Sequence, residues 1–155
     1  MKFSDIKDYL KAKALSVTNV DSCKYGWIAD VGEHIASGEV TFPCVYLQKP
    51  TEAKIKDGLS HFSMTYYLLG TGRNDDGEGG EMDDDEKEIQ LDVLSDIWED
   101  FHRAVLDNDN QMTEFGYKRI SIIGDVVATR DDFLTNNSDV FISVKVKFAV
   151  TGPRC

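Results

Sequence analysis

Between Val140 and Val150 every second residue is large and apolar: Ile142, Val144, Val146, Phe148 and Val150 form one row, with Ser143, Lys145 and Lys147 in the other. Successive side chains of a strand point to opposite faces, so this spacing predicts a strand with one face in a core, ended by Gly152-Pro153. Phe62, Met64, Tyr66 and Leu68 alternate in the same way with His61, Ser63, Thr65 and Tyr67. Phe42-Pro43-Cys44-Val45-Tyr46-Leu47-Gln48 reads as a third strand whose proline sits at its start, where a missing N–H costs least; Pro50 stops it. Such strands bury one face only, so the chain must build a sheet and cover it from one side.

The cover is predicted from two stretches of helical spacing. Phe3, Ile6, Leu10, Ala14 and Val17 recur at threes and fours, and Ile89, Val93, Leu94, Ile97, Trp98, Phe101, Val105 and Leu106 do so over a longer run. Asp83, Asp84 and Asp85 crowd the start of that second helix, where the dipole favours negative charge. Asp107-Asn108-Asp109-Asn110 ends it as a polar turn. Tyr117 to Arg130 reads as a strand bent or bulged at Gly124-Asp125, and Asn19 to Gly38 as a weak strand or turn packed by Trp27. The sum is an α+β fold: an antiparallel or mixed sheet of about 4–5 strands, two α-helices packed on one face, and a long acidic loop before the second helix.

With 155 residues and 41% apolar residues, one domain spanning 1–155 is expected. The first residues, Met1-Lys2-Phe3-Ser4-Asp5-Ile6-Lys7-Asp8, have no apolar core of a signal peptide, and no stretch approaches the roughly 20 apolar residues of a membrane span, so neither secretion nor a membrane partner is expected. Cys23, Cys44 and Cys155 make no C-x-x-C pair and are odd in number, which argues for reduced thiols, with Cys44 as buried filler.

The net charge of −11 is local. From Asp75 to Glu88 stand nine acids (Asp75, Asp76, Glu78, Glu81, Asp83, Asp84, Asp85, Glu86, Glu88) against Lys87, leaving the remainder of the chain only −3. The body is nearly balanced and carries one acidic appendage, which disfavours binding of phosphate backbones by a general basic field. The stretch 70–85 is rich in Gly and acids and nearly devoid of apolar residues, so it is expected to be a mobile loop.

No motif in the chain amounts to an active site. His34, His61 and His102 stand apart from one another and from the cysteines, so no zinc or catalytic spacing exists; His61 reads as a solvent-facing strand residue and His102 as a residue of the helix's polar face. Asn74-Asp75-Asp76-Gly77 has some likeness to a calcium loop, yet with Gly77 in the glycine place, Gly72 would take the first ligand place and Asp83 that of the bidentate Glu. Gly77-Glu78-Gly79-Gly80 lacks the Lys-Ser/Thr of a phosphate loop, and there is no Gly-x-Ser-x-Gly elbow. A non-enzymatic protein without cofactor or metal is expected. Two features remain: Trp98 and Phe101, which are either ordinary core or assembly contacts, and the acidic run Asp75, Asp76, Glu78, Glu81, Asp83, Asp84 and Asp85, which is either a solvated loop or a functional face.

The order of elements resembles the tail terminator (tail-completion) proteins of long-tailed phages. The likeness rests on the Phe42–Leu47 strand, the Phe62–Leu69 strand, the long helix Glu86–Leu106, the closing strand Val140–Val150, the opening helix and the stretch Thr129-Arg130-Asp131-Asp132 before the last strand. The resemblance implies a virion structural protein assembled in the host cytoplasm: a homo-oligomeric ring, usually of six subunits, that caps the tail tube and joins it, with neck or connector proteins, to the head. DNA would be passing cargo, and carboxylates facing the channel would keep it from sticking. A related neck or head-completion ring would use a similar pattern. The alternative from another class is a small acidic adaptor or regulator that binds a basic partner through its loop.

Overall fold

The computed structural model describes residues 3–49, 52–56, 59–71, 83–106, 121–134 and 140–153. Within them run α1 (Phe3–Ser16), β1 (Ser22–Gly26), a 3-10 turn (Ile28–Asp30), α2 (Val31–Ala36), β2 (Cys44–Gln48), β3 (Glu52–Lys56), β4 (Leu59–Thr71), α3 (Asp84–Leu106), β5 (Ser121–Leu134) and β6 (Val140–Pro153). The fold is α+β with a mixed sheet in the order β1-β2-β4-β6-β5, and β3 also pairs with β4. Only β1 and β2 are parallel. Parallel neighbours need a crossover, and the 3-10 turn and α2 supply it.

The strands with strict alternation form the centre. β4 and β6 pair without a register shift from Leu59–Pro153 to Thr71–Phe141, so β6 continues through Gly152-Pro153, where the sequence predicts its end. β2 lies along β4 with Leu47 opposite Tyr66, and β3 follows on the same edge with Glu52 opposite Ser63. One interrupted edge therefore carries both, with Pro50, which has no N–H for a ladder, between them in sequence. β3 escapes sequence reading because Glu-Ala-Lys-Ile-Lys is short and charged. The bend predicted at Gly124-Asp125 is a bulge: Ile123 faces Ala149 and Val127 faces Lys147, so β5 has two residues more than β6 across that interval. Tyr117 to Ile120 of the predicted strand, the turn 107–110 and Cys155 lie outside the described residues.

The main core lies on one face of the sheet. Ile6, Tyr9, Leu10, Ala14 and Val17 of α1 and Leu94, Ile97 and Phe101 of α3 close over Val45, Leu47, Met64, Tyr66, Leu68, Val144 and Val146. Burying each such side chain fully contributes roughly 1.5–3 kcal/mol. Ile89 departs from the predicted helix stripe and is 62% exposed. At 100° per residue it sits about 140° from Leu94 around the helix, whereas Leu91 falls in line and packs against the core.

Among the described residues, the opposite face is covered at one end only. Val31 and Val40, with Ile28, Ile35 and Phe42, pack on Cys44, Tyr46, Tyr67 and Leu69. This small second core is absent from the predicted one-sided cover, and α2 is a helix beyond the two expected. Six residues are too few for a periodic signal. Trp27, expected to pack inward, is 45% exposed.

Candidate functional site

The acidic segment is anchored at one end of the sheet. β4 reaches that end at Thr71, opposite Phe141, while β2 begins there at Cys44, opposite Leu69. Gln90 of α3 joins Phe42, Pro43, Gly70 and Thr71 around a cavity of about 330 Å³, so the first turns of α3 close the same end. Segment 72–82 links Thr71 to Asp83, and its acids Asp75, Asp76, Glu78 and Glu81 lie outside the described residues. β5 also finishes there, with Asp131 opposite Ser143 and Asp132 opposite Ile142. Tertiary structure thus brings the Arg130-Asp131-Asp132 stretch to the same end as the start of α3.

Asp83, Asp84 and Asp85 have different tasks within this acidic end. The Glu86 N–H donates to the Asp83 carboxylate at 2.8 Å and the Lys87 N–H to the Asp83 carbonyl at 3.0 Å, which makes Asp83 the N-cap of α3. Asp84 and Asp85 are exposed in the first turn, where the dipole stabilises their charge and leaves them open to a partner.

The two aromatic residues singled out on α3 separate as well. Phe101 is fully buried and meets Tyr66 edge-on, with ring centroids 5.1 Å apart and an interplanar angle of 82°, so it has no surface to offer a partner. Trp98 is half-buried at the rim of the core and stands 6.1 Å from His102. Of the pair, only Trp98 retains surface for an assembly contact.

His102 is a residue that sequence reasoning misplaced. Instead of facing solvent it is 8% exposed, and its Nε2 lies 2.6 Å from the Tyr66 hydroxyl. Burial pushes its pKa down to about 4 and raises that of Tyr66 well above its usual value, so both are neutral. Position 102 follows a core residue by one step, and only the width of the groove between Trp98 and Tyr66 decides that it is covered. His61 is likewise no open solvent residue: its two ring nitrogens are buried without a hydrogen-bond partner.

A second polar junction ties the crossover to the sheet. The Tyr46 hydroxyl donates to the Trp27 carbonyl at 2.8 Å and lies 2.8 Å from His34 Nδ1. A phenol has one proton, so Nδ1–H of His34 is the donor in the second bond. Burial, then the negative charge of Asp30, pushes the Tyr46 phenol up to about 12. Gly26 leaves room for this hydroxyl: a Cβ there would stand 3.0 Å from it and 3.3 Å from His34 Cε1. Trp27 gives its carbonyl to the junction and its ring to the surface, with the Lys49 ammonium 5.7 Å above it. Both His–Tyr pairs therefore hold structure together.

The thiols and carboxylates form no reactive grouping among the described residues. Burial pushes Cys23 up to about 12 and Cys44 up to about 11, which keeps both as thiols. Cys44 is 1% exposed, as its apolar neighbours predict. Among the described residues no three His, Cys, Asp or Glu side chains are grouped to hold a metal ion, and no helix is long and apolar enough to cross a membrane.

Among the described residues, the remaining surface is the half of the second sheet face that the 3-10 turn and α2 do not cover. Its rows follow from the register: Thr65, Lys147 and Val127 stand side by side, as do Tyr67, Lys145 and Thr129. β1 and β5 each have a single strand neighbour among the described residues. No protein-family model matches the chain, and no curated protein is similar to it.

Proposed function

We propose that the protein is a structural subunit of virion assembly, a ring-forming tail terminator or neck-type protein that caps the tail tube and joins it to the head. The observation that carries this reading is the concentration of charge: eight of eleven net negative charges fall in 75–88, attached to one end of an otherwise nearly balanced α+β body. Repeated around a ring, that end makes a strongly negative rim. Potentials of several kT over such a rim repel the phosphate backbone within a Debye length of about 8 Å, so DNA passes without binding. Among the described residues the sheet also ends in two strands with a single neighbour each, β1 and β5, and an unpaired strand edge invites contact with further chains.

The test is the solution mass by light scattering over rising protein concentration, with and without a divalent cation to screen the carboxylates. A single closed-ring mass is expected. A monomer under every condition, together with tight binding of a basic protein through segment 75–88, would replace the ring by the acidic adaptor. For the channel, the decisive result is where the acidic end lies in images of the ring; on the outer rim, it has no role in DNA passage.

A further inference from the structure

In a chain of net charge −11, a contact that sets a cation against the acids favours self-association, and one sheet face of this molecule holds two lysines side by side along a strand. On the second sheet face, the 3-10 turn and α2 cover the β1–β2 end and stop at Tyr67. Beyond it lie Ser63, Lys147, Val127 and Thr129, all exposed, and Thr65 and Lys145, half-buried. Lys145 holds its ammonium 5.8 Å above the Tyr67 ring, and the strand rise sets it about 7 Å from Lys147 at the Cα atoms. None of these six residues is acidic. Toward the acidic end the same row reaches Asp131 on β5, opposite Ser143, and at the other end β3 brings Glu52 opposite Ser63 and Lys54 opposite His61, so Lys145 and Lys147 are the cations of the stretch between.

We infer that this Lys145–Lys147 face is the seat for the acidic segment 75–88 of a second copy of the chain, whose Asp84 and Asp85 stand exposed at the start of α3. The inference rests on the ring reading and gives it a contact. Two features argue for a second copy: the chain itself carries the anion that complements the face, and the described part of that anion, Asp83 to Glu88, begins α3, which packs on the opposite face of the sheet. A contact between two different surfaces of identical chains is heterologous, running head to tail, and closes into a ring when the rotation permits. Ion pairs at this exposure are weak singly and screened by salt, so the association is expected to loosen steeply as ionic strength rises.

The experiment compares solution masses of three proteins. Wild type is expected to form the ring at low salt. K145E/K147E, which places like charges at the contact, is expected to associate roughly 100-fold or more weakly and remain monomeric. A variant with the nine acids of 75–88 replaced by their amides, where Asn at position 83 preserves the helix cap, is expected to be monomeric too. Mixed in equal amounts, the two variants should form a heterodimer and nothing larger, because together they supply one competent interface. K147E alone, at an exposed site opposite Thr65, and unchanged thermal melting guard against misfolding. A ring that survives K145E/K147E overturns this contact and leaves the ring reading standing. Two monomeric variants that fail to pair overturn the acidic segment as the occupant. A wild type that never associates overturns both readings. Loss of short-duplex DNA binding in K145E/K147E, with its mass unchanged, would reassign the face to nucleic acid.

Discussion

His102 makes the stability of this protein depend on pH in a way that can be worked out from its surroundings. Its ring is packed among Tyr66, Trp98 and Phe101, 5.7, 6.1 and 5.6 Å away between centroids, and burial lowers its pKa from 6.5 to about 4. A base whose folded pKa lies below its unfolded value binds its proton more readily when unfolded, so its contribution is fully present above about pH 6.5 and declines as pH falls toward 4. At 1.36 kcal/mol per pH unit the loss is about 2 kcal/mol by pH 5 and about 3 kcal/mol by pH 4. Carboxylates titrate over part of the same range, so the measurement is a difference. Urea unfolding of the wild type and of His102→Gln, followed by tryptophan fluorescence at about pH 7.5 and about pH 5, isolates the histidine. The stability of the wild type relative to the variant should fall by about 2 kcal/mol between the two pH values. An equal loss in both proteins would refute a neutral, desolvated His102.

Two further substitutions probe the local devices. Tyr46→Phe removes the hydroxyl that satisfies the Trp27 carbonyl and the His34 Nδ1–H, and should cost about 1–3 kcal/mol in chemical denaturation; a cost below about 0.5 kcal/mol would mean that the junction is not sealed from water. Asp83→Ala should cost about 1 kcal/mol and Asp83→Asn a fraction of that, since Asn still accepts the Glu86 N–H; equal losses would show that charge at the helix start matters and the cap bond does not.

Alternation in 62–68 and 142–150 is written in the residue order because a strand's faces repeat every two residues, and the two strands pair as that pattern requires. The bulge near Gly124-Asp125, the acid-rich start of α3 and the apolar stripe of α1 are legible for the same reason: each is a local rule acting over a few neighbouring residues. The acidic run is legible as charge, and its attachment beside the start of α3 follows from adjacency in the chain.

What the sequence could not specify depends on what packs above each residue. His102 is polar and sits next to a core position, and only the placement of α3 over Tyr66 covers it. Trp27 is apolar and lies exposed because its turn spends the backbone carbonyl on Tyr46. β3 becomes a strand because β4 has an edge to share, against the preference of its own charged residues. The second core under α2, the sheet face that sets Lys145 and Lys147 beside Tyr67 and Thr65, and the placement of Asp131 and Asp132 at the same end of the sheet as the acidic start of α3 all join residues far apart in the chain. Local sequence determined the alternating strands, the long helices and the charge; the order of strands in the sheet decided which surfaces that charge and those lysines occupy.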